Sequence, residues 1–339
     1  MEVLLSLPIV SYFFSTSMSS YSTSLNLLFF YLTWTTLVLS HSPLKIEVMS
    51  TTAIRILFWL VPSLFFLIFD TLLPSLSENL KYDGSSALPP RDARSLAGLL
   101  ALAIGNLALT TGTEAAMSLG LATLIKEPPF RTSTTLPLPW QMVKHIALLF
   151  AAREALSFYI HRNVLHPSSS ARQGTSALTR VPHQLRDRAA TQHARFAHAH
   201  RAAPFSLLAM ADHPLPQLLL HLLPIYLLPS ISGTAGGLPS QPRLHVLTYL
   251  VFVALATLEE TLAYSGYAAL PGVAAGGLAR RAAAHRAGGG EGNYGPWGFL
   301  DWAYGTGLGG GRDGDDAAGL VQSGVEGLRR SGEGEGEEE

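Results

Sequence analysis

Eight of the twelve histidines fall between positions 161 and 221: His161, His166, His183, His193, His198, His200, His213 and His221, with Asp212 among them. Imidazole nitrogen binds iron, zinc or copper well, and the chain has no cysteine to offer a thiolate. A metal site here must therefore be built from histidine, carboxylate or amide ligands. His161 and His166 bracket the end of an expected helix in HRNVLHP. Five residues turn an ideal helix by about 500°, or 140° net, so the two rings converge only if the helix ends or bends near His166. Pro167 makes an end there reasonable. His193 and His200 are seven apart and share a helical face, while His198 points elsewhere unless it serves a second metal. His213, between Asp212 and Pro214, stands at an expected helix start that could present either the ring or the carboxylate. For His183, His221 and His245 a hydrogen-bonded interfacial role is the simpler reading.

Two charged pairs sit in otherwise apolar runs. Arg153–Glu154 interrupts KHIALLFAAREALSFYIHRNVLH, and Glu259–Glu260 interrupts the run that ends LEETLAYSGY. Charges at membrane depth are costly and usually face a protein interior or a site. Each pair also has a plain reading: Arg153–Glu154 on an interfacial helix in water, and Glu259–Glu260 paired with nearby arginines.

The elements that carry these residues are those of a membrane protein. Only 14% of the 339 residues are charged, against about 25% in an ordinary soluble domain, and mean hydropathy is +0.26. Candidate spans run from about Leu25 to Leu39 and from Ile54 to Leu73, the latter with Arg55 and Asp70 expected near headgroups and Pro62 as a kink. A softer apolar region covers Ser95 to Ile125, and a helical pattern resumes at Lys144. Two broken apolar segments follow, about Leu215–Ile231 and Leu244–Ala263. Proline-rich connectors separate several of these, including Lys126–Pro139. Seven arginines between 162 and 201, and Arg280, Arg281 and Arg286 later, place the histidine region on the cytosolic side by the charge bias. The expected fold is all-α: a polytopic membrane helical protein with a cytosol-facing, histidine-bearing domain. It divides into membrane spans and connectors at 1–140, the histidine domain at 141–308, and a Gly/acidic tail at 309–339 that is expected to be disordered. A cleaved signal peptide is not expected, because no basic n-region precedes the first apolar run. A net charge of −1 gives no sign of nucleic-acid binding.

The stretches FYIHRNVLHP, FAHAHRAAPFSLLAMADHPLPQLL, LEETLAYSGY and HRAGGGEGNYGPWGFLDWAYGTGLG, in that order, resemble the fatty acid hydroxylase/sterol desaturase superfamily, especially fungal sterol C-5 desaturases. The resemblance covers roughly residues 145–308. It implies an endoplasmic reticulum membrane enzyme with a di-iron centre held by histidine boxes, using molecular oxygen and electrons from a cytochrome b5-type donor. His161 and His166 match the first box. His193, His198 and His200 fall where the second is expected, though without its adjacent HH pair. His213 matches the histidine of an HP element, and His285 one position of the last box, which also lacks an HH pair. Asn293 and Gly295 match an N-[FY]-G element. The metal set so implied is His161, His166, His193, His198, His200, His213 and His285, with Asp212, Glu259, Glu260 and Asn293 as supporting residues. The implied reaction is hydroxylation or desaturation of a sterol or other lipid.

The altered boxes keep an alternative open: a catalytically silent member that binds lipid or scaffolds a partner. No HExxH, GxSxG or nucleotide-binding glycine motif points to another enzyme class.

Overall fold

The computed structural model describes residues 18–167, 183–198, 204–231, 243–268 and 273–308. His200 and the 309–339 tail lie outside the described residues. Those described are predominantly α-helical. Three helical segments are long and apolar enough to cross a membrane: Pro43–Leu72, Ala93–Leu124 and Val246–Ala263, with a shorter apolar helix at Leu25–Ser40.

Helix α1 (Met18–Ser40) turns at Ser42 into α2 (Pro43–Arg55), which Ser42 caps by accepting the Lys45 N–H. A π turn, Ile56–Leu60, joins α2 to α3 (Val61–Leu72). The wider turn lies immediately before Pro62, whose ring and missing N–H would break a regular helix. This continuous rod begins at Pro43 rather than near residue 54. Arg55 is packed inside the bundle. It is 3% exposed and forms a bidentate pair with Glu114 at 2.7 and 2.5 Å. Asp70 is also interior, bonded to Lys81 (2.5 Å) and to the Tyr267 hydroxyl. Each charge that the sequence alone places at a surface finds a buried partner, which is what low-dielectric surroundings demand.

After α4 (Pro74–Leu80) comes α5 (Ala93–Ile125), capped by Asp92 accepting the Ser95 N–H. α6 (Pro139–Ile160) starts on its own proline, a favoured first position. α7 (His183–Phe196) follows, then α8 (Pro214–His221), a π turn at Leu222–Leu227, and α9 (Leu228–Ile231). Prolines 214, 216, 224 and 229 account for this broken course and explain why it is no simple span. α10 (Val246–Ala263), α11 (Val273–Ala287) and the short α12 (Phe299–Ala303) are the last helices among the described residues.

The largest apolar core gathers Phe130, Phe150, Tyr226, Tyr249 and Phe252 around α10, with Phe130 stacked on Tyr249 at 4.1 Å. A second core packs Trp59, Ala103 and Leu107 against residues 205–211, fixing that segment beside α5. Asn106 donates to the carbonyls of Met210 and Asp212, at 2.8 and 2.7 Å. These two bonds tie the Asp212 backbone to α5, so its carboxylate is held at a fixed place in the bundle.

Candidate metal centre

Five histidine rings meet at one point. His161 lies 5.1 Å from His166, 5.3 Å from His193 and 4.6 Å from His285, centroid to centroid. His198 lies 4.9 Å from His166, 5.0 Å from His193 and 4.9 Å from His285. One ligand nitrogen from each of His161, His166, His193 and His285 falls within 4.8 Å of the others. Donors around a tetrahedral ion with ~2.0–2.1 Å bonds stand about 3.4 Å apart, so the set closes on one ion by drawing the rings inward.

Local backbone geometry produces this meeting. Residues His161–Leu165 form a π turn, and the His166 N–H bonds the His161 carbonyl at 2.9 Å. An i→i+5 turn brings residue 166 back over residue 161, which an α-helix does not do. The convergence that requires a helix end or bend is met by this turn, just before Pro167. Helix α7 ends at Phe196, so the His198 ring is not carried to the far face that continued helical spacing implies, and it joins the cluster instead. His285 arrives from α11. Gly290, at φ +92°, packs directly against His166: a Cβ there would fall on the imidazole Cε1. Only glycine meets both demands, which gives the GGG run a physical reason.

Three of the rings are oriented by an acceptor behind them. The Nδ1 of His161 donates to the Tyr294 carbonyl (3.0 Å), that of His285 to the Gly292 carbonyl (2.6 Å), and that of His193 to Asp212 Oδ2 (2.5 Å). Carbonyls and carboxylates only accept, so the proton is assigned to Nδ1 and the lone pair to Nε2. The Nε2 atoms of His161, His166, His193 and His285, and both ring nitrogens of His198, are buried with no hydrogen-bond partner. Buried polar atoms are normally satisfied, and several orphaned lone pairs sharing one volume is the donor arrangement a metal ion needs. Burial, with repulsion from His193 next, lowers the pKa of His161 and of His198 to about 3. Both therefore stay neutral, the metal-binding form, across ordinary pH.

The other expected residues stand further out. His213 is not brought into the cluster: it caps α8, its Nδ1 accepting the Leu215 N–H at 3.2 Å, and its ring packs on Phe196. Asp212 also accepts the His213 N–H (2.6 Å) on its second oxygen. Arg153 pairs with Glu259 and Glu260, both at 2.9 Å, and Glu260 accepts from His221 Nε2 at 3.1 Å. Arg153 and Glu154 both face the interior. Asn293, at φ +50°, bonds the Arg281 and Leu308 carbonyls and the Leu308 N–H, holding the segment that presents Tyr294. His245 caps α10, its Nδ1 accepting the Leu247 N–H.

Sequence reasoning does not single out Glu154 or Asp301 as scaffolding. Glu154 accepts three backbone N–H groups, from Trp297, Gly298 and Phe299, at the start of α12. Asp301 accepts from the Tyr294 and Gly295 N–H groups, Thr306 and Arg281. Both hold the loop whose Tyr294 and Gly292 carbonyls aim His161 and His285. The one signal that the sequence offers is an acid inside an apolar run.

A cavity of about 130 Å³ adjoins the cluster, walled by His161, His285, Arg153, Glu260, Tyr264 and Arg286 among others. No protein-family model matches the chain, and no solved structure matches it. The described residues thus form a predominantly helical protein with membrane-length apolar helices and a buried histidine cluster able to hold a metal ion jointly.

Proposed function

We propose that this chain is an iron-dependent membrane oxidoreductase of the fatty acid hydroxylase/sterol desaturase type, which hydroxylates or desaturates a sterol or other lipid with molecular oxygen. The convergence of bare, buried imidazole nitrogens from separate segments of the chain carries the reading. His161, His166, His193, His198 and His285 would hold the metal, with Asp212 and the Tyr294 and Gly292 carbonyls fixing three of the rings. Iron in an all-nitrogen site of this kind supplies oxygen activation and removal of hydrogen from an unactivated C–H bond.

The chain's own groups have definite tasks. His161 and His198 stay neutral and three of the rings are held in orientation, so binding starts from donors already prepared for it. The Arg153–Glu259–Glu260–His221 network keeps its charges paired at the cavity wall. The apolar helices admit a lipid, and the arginine-rich region, placed on the cytosolic face of the endoplasmic reticulum, suits an acidic cytochrome b5-type electron donor.

Four of these imidazoles, with His198 beside them, lie close enough to share one ion. A second iron, which the resemblance implies, needs donors beyond these five rings; His221, Glu259 and Glu260 line the adjoining cavity, and His200 is close in sequence. This favours a second reading in which the site binds one metal and the chain acts as a lipid-binding or scaffold protein without turnover. Elemental analysis of detergent-purified, iron-replete protein tests the pair, followed by lipid-product analysis with reductant and oxygen. Iron near two per chain with an oxidised lipid product supports the oxygenase. Iron near one without product supports the second reading, and iron near zero in folded protein removes the metal assignment and leaves lipid binding or scaffolding as the better account.

A further inference from the structure

A second cavity, of about 240 Å³, lies far from the histidine cluster, between the first turn of α2 and the last turns of α5. Its apolar wall includes Leu44, Leu119 and Ala122, and its polar groups include Glu47 and Ser118. Ser118 is twelve residues along α5 from Asn106, the residue that touches the Asp212 segment, which is about 18 Å at 1.5 Å per residue. The cavity therefore lies toward the C-terminal end of α5, well away from the Asp212 segment.

Glu47 is 4% exposed, yet lines this space. Its Oε1 accepts the Ser118 hydroxyl, and Ser118 in turn meets the Tyr226 hydroxyl at 2.5 Å. Among the described residues no cation pairs with Glu47. Arg55, two turns further along the same rod, is committed to Glu114, Arg243 is committed to Glu127 at 2.6 Å, and Lys126, which lines the cavity, makes no ion pair with Glu47. A carboxyl group buried in a membrane-length helix pair, with only hydroxyl partners for its side chain among the described residues, calls for further hydrogen bonding from whatever fills the cavity.

We propose that this cavity binds an amphipathic alcohol, a membrane lipid whose hydroxyl bonds Glu47 while its apolar body lies against Leu44, Leu119 and Ala122. A hydroxyl both donates and accepts, so it satisfies Glu47 whether ionised or protonated and extends the Tyr226–Ser118–Glu47 chain by one member. An ammonium head could serve only the ionised form. The position fits, since the cavity sits at one end of two helices long enough to cross a bilayer, where a lipid's polar head meets its apolar body.

The full-length protein in phosphatidylcholine nanodiscs, a lipid without a free hydroxyl, is photolabelled with a diazirine-bearing sterol or a diazirine-bearing diacylglycerol. Labelled peptides are mapped by mass spectrometry. Labelling at Leu44 or Leu119–Ala122, competed by the parent alcohol and not by its methyl ether, is expected, and the probe that labels names the source. Glu47→Ala is expected to weaken it about tenfold or more. Ala122→Trp, which fills the space and keeps Glu47, is expected to abolish it and guards against a misfolded first variant. Equal competition by the methyl ether, unchanged labelling in folded Glu47→Ala, or labelling confined to the histidine cavity overturns the proposal. Iron content is read in the same samples and is expected to stay at the wild-type value, so this result is separable from the fate of the metal assignment.

Discussion

Asp212 should control metal affinity without touching the metal. Its Oδ2 lies 2.5 Å from His193 Nδ1, and the pair is buried. Removing it in Asp212→Ala leaves Nδ1 in a dry site with no acceptor, and frees the ring to carry its proton on Nε2, the atom facing the cluster. Such partners of ligating histidines are worth about 10- to 100-fold in affinity, or about 1.4–2.7 kcal/mol. Asp212→Asn keeps the size and an acceptor but loses the charge, so a smaller loss, about tenfold or less, is expected. The assay is a chelator competition titration of iron on nanodisc-embedded protein, with circular dichroism to establish folding. His213→Ala is the control. His213 shares Asp212 through its backbone and caps α8, so its loss should cost about 1 kcal/mol of stability and leave iron affinity unchanged. Wild-type iron affinity in folded Asp212→Ala would refute the reasoning. So would an equal loss in His213→Ala, because the effect would then be general loosening of the 205–213 segment.

Gly290→Ala places a methyl on the His166 ring at a backbone angle that alanine resists, so iron binding should be lost with about 1–3 kcal/mol of destabilisation; full iron content in this variant would contradict the close approach. Glu114→Ala strands buried Arg55 and should cost about 3–5 kcal/mol in denaturation, whereas the double variant Arg55→Met/Glu114→Leu should recover most of it; no recovery would mean that the pair is not the cause. For the metal-free protein, His161 and His198 have folded-state pKa values of about 3, below the unfolded value of 6.5, so the unfolded chain takes up protons first. Their contribution to stability is complete above pH ~6.5 and is lost as pH falls from there toward about 3. Denaturation midpoints with chelator present should drop over that range, and less steeply in His161→Phe; an identical slope in the two proteins would contradict the assignment.

Much of this molecule is legible in its sequence because composition and periodicity are local. Low charge and long apolar runs specify membrane-length helices, and prolines mark where helices start and fail, as at Pro139 and Pro214. The density of histidines without cysteine points to a nitrogen-donor metal site before any folding is considered. What the chain does not reveal is which rings converge. His161 and His166 meet through a π turn, and helical spacing cannot express an i→i+5 register. His198 joins them because α7 stops at Phe196, while His213, equally promising by position, is used up as a helix cap. Likewise Arg55, Asp70, Arg153 and Glu259–Glu260 are single charges in apolar text until the fold pairs them, across 59 residues for Arg55–Glu114 and 106 for Arg153–Glu259. Sequence sets the types of donors and charges; only tertiary packing decides which of them share a desolvated volume, because that depends on contacts between helices distant along the chain.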